Sequence, residues 1–265
     1  MPDARLSLPK SEFEPTRRHI WLGASNLYLG FRLAVEAVRQ LENQPVEVIA
    51  TPSHGRSFGQ PSRVLGRVLP GILGCGLWES LTQRPAVPTR AVITDVGNDL
   101  IFGCDAETVA HWVEQCVERL ADCCEGLALT SLPMASLERL GPKRFHLMRR
   151  VLFPRSTLQY EEAMRQARDL NGHVQQIANR FNARLVRPAQ QWFGFDPIHI
   201  RRRFRRDAWH EFLGIERTQQ SRTTEWSLRY KLLRGRPHER FLFGRRQDRK
   251  QPSIACADGT TISLY

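Results

Sequence analysis

Five short apolar runs, each stopping at a polar or glycine-rich cluster, limit what this chain can fold into. They occupy residues 19–25 (HIWLGAS), 46–52 (VEVIATP), 90–97 (RAVITDVG), 126–133 (GLALTSLP) and 183–188 (ARLVRP). Helical periodicities lie between them. Residues 27–42 place Phe31, Ala34, Val35, Val38 and Leu41 on one face. Residues 105–122 do the same with Val109, Trp112, Val113, Cys116, Val117 and Leu120. A long helical pattern spans 156–181, and a shorter helix is expected over 61–73, weakened by Gly66 and Pro70. Apolar strands alternating with amphipathic helices predict a parallel sheet covered on both faces, a doubly wound α/β fold. The 265 residues suit one large domain, or one domain with an appendage.

In open α/β sheets of this kind ligands bind beyond the carboxyl ends of the strands. Strand one ends at Ser25, strand two near Gly55, and strand three at Gly97-Asn98-Asp99. The loop after strand five, WFGFDPIHI, holds Asp196 and His199. These four clusters contain the parts of an acyl-transfer site. Ser25 can attack a carbonyl, and His199 can take its proton and return it to the leaving alcohol. Asp196, three residues earlier and followed by Pro197, can orient the imidazole through Nδ1. The Ser25 and Gly55 N–H groups and the Asn98 side-chain amide can receive the oxyanion.

Other readings compete. Taken alone, Ser25 reads more readily as a helix N-cap than as a nucleophile. Residues 55–59, GRSFG, match the Gly-x-Ser-x-Gly elbow of another hydrolase class, with Ser57 as nucleophile. Too few strands precede Ser57 for that arrangement, so Ser57 is expected to shape its loop, with Gly59 as a fallback for Gly55. Asn98-Asp99 also reads as a turn, and Asp-x-x-His is common by chance. His54 can line the site, and Trp192, Phe193 and Phe195 either line a pocket or pack in the core.

The four clusters, in this order, resemble the blocks of the SGNH/GDSL hydrolases. Gly23-Ala24-Ser25-Asn26 is similar to the first block, Gly55-Arg56-Ser57 to the second, Gly97-Asn98-Asp99 to the third, and Asp196-Pro197-Ile198-His199 to the fifth. The resemblance covers about residues 18–213. It implies a three-layer α/β/α sandwich with a five-stranded parallel sheet of flavodoxin-like type. It also implies ester or thioester hydrolysis, often of acetylated or lipid-like substrates, by Ser25, His199 and Asp196 with no metal or organic cofactor. One position departs: Ala24 stands where the family usually has aspartate, which bears on how Ser25 is held. The second block's Gly-Arg-Ser form is reminiscent of the superfamily's carbohydrate acetylesterases.

On this reading residues 1–17 are a tail, 18–213 a hydrolase-like domain and 214–265 a basic extension. Asp258-Gly259 between SIACA and TISLY predicts a β-hairpin there. The net charge of +12 is uneven: residues 200–265 carry 16 Lys and Arg against 7 Asp and Glu. Arg201, Arg202, Arg203, Arg205 and Arg206, on an expected helix over 199–212, form a solvated face or an anion-attracting rim. Six cysteines lack Cys-x-x-Cys or Cys–His zinc spacing, so no metal is expected. The absence of a long apolar stretch or signal-like segment makes a cytoplasmic location the default. The expected activity is a serine ester hydrolase acting on a small-molecule ester. The alternatives are an acyltransferase using the same site, or a non-catalytic relative that binds an anionic partner.

Overall fold

The computed structural model describes residues 15–64, 66–152, 156–216 and 226–265; the expected tail, up to residue 14, lies outside them. β1 (Arg17–Leu22) leads into α1 (Ser25–Glu42), then β2 (Val46–Ala50). A small hairpin follows, β3 (Ser62–Val64) and β4 (Arg67–Leu69), then α2 (Leu77–Thr82) and β5 (Thr89–Ile93). Next come α3 (Asn98–Ile101), α4 (Ala106–Ala121), β6 (Gly126–Thr130), α5 (Met134–Leu137), α6 (Pro142–Leu152), α7 (Tyr160–Arg180) and β7 (Arg184–Val186). The chain ends with α8 (Arg205–Leu213), α9 (Trp226–Arg234), β8 (Glu239–Leu242), β9 (Arg245–Asp248), β10 (Ile254–Ala255) and β11 (Thr261–Leu264).

The main sheet has the order β10-β11-β2-β1-β5-β6-β7. β10 is antiparallel to β11, and every other neighbour is parallel. Each of the five expected strands is present, but the sheet is not a five-stranded parallel one. β11 adds to β2, and β10 follows through the turn at Asp258-Gly259. The physical reason lies in β2, whose five residues are all buried and whose outer edge would otherwise offer unpaired backbone groups. A second, antiparallel sheet, β3-β4-β8-β9, joins the loop after β2 to the C-terminal region. The expected helix over 61–73 is therefore corrected. The chain turns at Gly66, whose φ of +75° favours glycine, and forms β3 and β4 instead.

Side chains on β1 alternate between two cores, as the pleat requires. Ile20 and Leu22 join Val113, Val117, Leu170 and Val174 on the α4–α7 face. Trp21 joins Leu27, Phe31, Trp209 and Phe212 on the α1–α8 face. Gly30 lets α8 approach α1 closely, since a Cβ there would fall 1.8 Å from Trp209 Nε1. The expected helix over 199–212 starts late. A 3-10 turn at Arg202–Phe204 precedes α8, and Ala208, Trp209 and Phe212 face the core.

Candidate functional site

The site forms where the strands of the main sheet run out. After Leu22 the chain turns through Gly23 and Ala24, and Ser25 opens α1. No side chain of the turn itself caps this helix. Asp95, just past β5, does so from across the sheet. Its Oδ2 accepts the N–H groups of Ala24 (2.9 Å) and Leu27 (3.2 Å), and its Oδ1 accepts the N–H of Asn26 (3.2 Å). The first N–H groups of a helix have no intrahelical partner, and a carboxylate there also meets the positive end of the helix dipole. Asp95 takes the N–H groups on both sides of Ser25 and leaves that of Ser25 itself uncommitted. The Ser25 hydroxyl likewise makes no hydrogen bond among the described residues.

Asn26 ties this turn to the histidine loop. Its Nδ2 donates to Asp95 Oδ1 (2.7 Å) and to the Ile198 carbonyl (2.9 Å), and its Oδ1 accepts the Ile200 N–H (2.8 Å). His199 is thus bracketed by two backbone bonds to one side chain. On the same loop, Asp196 Oδ2 lies 2.6 Å from His199 Nδ1, and Asp196 Oδ1 accepts the N–H groups of Ile198 (3.0 Å) and His199 (3.2 Å). Burial works against ionisation of Asp196. The hydrogen bond and charge of His199, with the two N–H donors, outweigh it and hold the carboxyl below its ordinary value.

Ser25, Gly55, Asn98 and His199 line one cavity of about 810 Å³, with His54, Ser57 and Asp99. Asp196 stands behind His199. Gly55 turns with φ +60°, beside Val64 of β3. Neither the Gly55 N–H nor the Asn98 side-chain amide is spent on another described residue. Ser25 and His199 face this common space without a hydrogen bond between them, a contact that commonly tightens only with substrate in place.

Ser57 is occupied otherwise. Its hydroxyl accepts the N–H groups of Gly59 (3.2 Å) and Gln60 (2.9 Å), and its own N–H donates to Ser62 Oγ (2.7 Å). The Gly59 N–H is thereby committed too, and Gly59 packs against the Trp112 ring. Asp99 fastens the third block to the second, its Oδ2 accepting the Phe58 N–H at 2.9 Å. Burial pushes the Asp99 carboxyl up to about 6 against the pull of the Phe58 N–H and the Ser57 hydroxyl. Arg56, fully buried, donates to the carbonyls of Tyr265 and Pro70, so the second block is held by Tyr265. His54 packs against the Tyr28 ring at a tilt, with centroids 4.4 Å apart; burial first, then His199 and Arg67, lower its pKa.

In the sequence Asn26, Arg56 and Asp99 stand only as parts of motifs, and Asp95 only within the third apolar run. The visible signal for Asp95 was a carboxylate at the end of strand three in a chain that lacks one at position 24. Trp192 and Phe193 are core residues, whereas Phe195 is exposed beneath the Arg144 guanidinium. None of Arg201, Arg202, Arg203, Arg205 and Arg206 lines the cavity at Ser25. Arg205 donates to the Ile200 carbonyl, and Arg206 lies 3.9 Å from Glu36. No helix among the described residues is long and apolar enough to cross a membrane.

No family model and no curated protein matches the chain. Solved structures do. One is the psychrotrophic esterase EstA from Pseudoalteromonas sp., 15% identical, matched over 74% of this chain and 96% of that one with a TM-score of 0.46. A member of the lipolytic protein G-D-S-L family from Veillonella parvula is 14% identical over 75% and 97% of the two chains, with a TM-score of 0.47. A variant of an acetyl-xylooligosaccharide esterase from Geobacillus stearmophilus is 12% identical over 78% and 100%, with a TM-score of 0.49.

Proposed function

We propose that the chain is a serine ester hydrolase of the SGNH/GDSL type, with Ser25 as nucleophile, His199 as general base and acid, and Asp196 as the orienter of His199. One observation carries this reading. The 2.6 Å Asp196–His199 pair opens onto the same cavity as Ser25, and three uncommitted donors line that cavity with it. A serine hydroxyl with no structural duty beside an oriented imidazole suits acyl transfer better than helix capping, which Asp95 already performs.

The chemistry follows from that placement. His199 Nε2 removes the Ser25 proton as Oγ attacks the ester carbonyl. Asp196, ionised, accepts the Nδ1–H bond and stabilises the imidazolium. The carbonyl oxygen, now negative, takes hydrogen bonds from the N–H groups of Ser25 and Gly55 and from Asn98 Nδ2, at the positive end of α1. His199 returns the proton to the leaving alcohol, and water then repeats the cycle on the acyl-enzyme.

Turnover of a chromogenic 4-nitrophenyl ester tests it. The wild type hydrolyses the ester, Ser25→Ala and His199→Ala each lose at least about 10⁴-fold in kcat, and Ser57→Ala keeps activity wherever it folds. Equal turnover by wild type and Ser25→Ala overturns the assignment.

A further inference from the structure

A second cavity, of about 120 Å³, lies beside the first and differs from it in chemistry. Its wall includes Leu137 of α5, Phe145 and Met148 of α6, Ala163 of α7 and Phe193. Asn98 and Ile101 line both cavities, so the two spaces share a wall that includes the proposed oxyanion donor. Protein interiors are close-packed and leave few voids larger than a water molecule. An apolar space of this size, bordering a proposed oxyanion donor, is a binding feature by its chemistry.

We propose that this cavity receives the acyl group of the substrate and sets its length. The inference rests on the hydrolase reading above. The choice between acyl and alcohol follows from His199. The leaving oxygen must take its proton from His199, which lines the larger, more polar cavity and not the apolar one. The alcohol therefore leaves through the cavity that also holds Gln60, Ser62 and Arg63. The carbonyl oxygen turns to Asn98, and the remaining substituent of the carbonyl carbon passes Ile101 into the apolar space. A dry apolar cavity of about 150 Å³ admits benzene, so this one suits a group of about four to six carbon atoms. The substrate class is then a butanoyl to hexanoyl ester, or one of similar bulk, rather than an acetyl ester.

The test is a chain-length series of 4-nitrophenyl esters, acetate to dodecanoate, with wild type, Ala163→Leu and Leu137→Ala. Folding of each variant is checked by its melting curve. In the wild type, kcat/KM for butanoate or hexanoate exceeds that for acetate by at least about tenfold, as methylenes in an apolar pocket do. Ala163→Leu, which fills the cavity, collapses that ratio about tenfold, and Leu137→Ala shifts the optimum to longer chains. Wild-type preference for acetate, or an unchanged profile in folded variants, overturns the proposal. If Ala163→Leu does not fold, Leu137→Ala decides alone. If no ester is turned over, the hydrolase reading fails by itself, and calorimetry with hexanoate and acetate decides the cavity. Tighter hexanoate binding that Ala163→Leu removes supports it, and equal binding of the two acids sinks it.

Discussion

Asp95 resolves the difficulty posed by Ala24. Where the resembled family carries an aspartate in the turn before its serine, this chain has a small, buried alanine. The carboxylate that fixes the turn comes from the end of β5, in a residue whose φ is +63°. A non-glycine residue in that region is uncommon and bears a conformational cost. Here the four hydrogen bonds to residues 24–27 and the Asn26 amide offset it. Asp95→Asn keeps the shape but presents an NH₂ to N–H groups that need an acceptor. The turn loosens around Ser25, and the expected result is a fall in kcat of about 10- to 100-fold with KM little changed. Steady-state kinetics separates the two parameters. A rise in KM at constant kcat would assign Asp95 to substrate binding instead. Position 95 was not legible as a cap because the residues it serves lie about seventy positions earlier, and local capping rules look only a few residues along the chain. Asn26, by contrast, was in plain view in the quoted motif, but its second task, holding the His199 loop, depends on a contact that only folding creates.

At the scale of elements, the C-terminal strands account for most of what the sequence left hidden. Asp258-Gly259 gives Thr261–Leu264 its hairpin partner in β10, but nothing in this four-residue strand announces β2 on its other side, and the basic segment before it reads as an extension. In the fold β11 lies against β2 and is fastened by a buried ionic cluster. Glu47 of β2 receives Arg18 of β1 at 2.5 Å and also Arg84, which donates on to Ser263 Oγ (3.0 Å) and the Tyr265 hydroxyl (3.2 Å). Removing one partner of such a cluster strands the others in a dry setting. Glu47→Gln is therefore expected to cost about 3–5 kcal/mol in urea denaturation. A loss below about 1 kcal/mol would mean that the two arginines reach solvent. The hairpin β3–β4 was misread for a related reason. Its apolar residues are too few to separate a period of 2 from one of 3.6, and its partner, β8, lies far along the chain. Helix α6 went unread because Lys143, Arg144, Arg149 and Arg150 dilute its apolar face.

For the molecule as a whole, the alternation of strand and helix and the corners at Ser25, Gly55 and Asn98 were readable because each follows closely on an apolar run, and the Asp196–His199 pair because it falls in the loop after the last of these runs. The closing of the sheet by the chain's own end was not, since register and strand order depend on contacts across the fold. That closure reaches the site through Arg56, whose bond to the Tyr265 carbonyl links the residue after β11 to the second block. The central claim is that Ser25, and not Ser57, is the nucleophile in a working acyl-transfer site. Peptide mass spectrometry after treatment with a fluorophosphonate tests it most directly, because the reagent phosphonylates only a serine activated by its neighbours. The account predicts one adduct per chain, on the peptide containing Ser25, absent in Ser25→Ala and His199→Ala. An adduct on Ser57, or ester turnover that persists once Ser25 is fully phosphonylated, would contradict it.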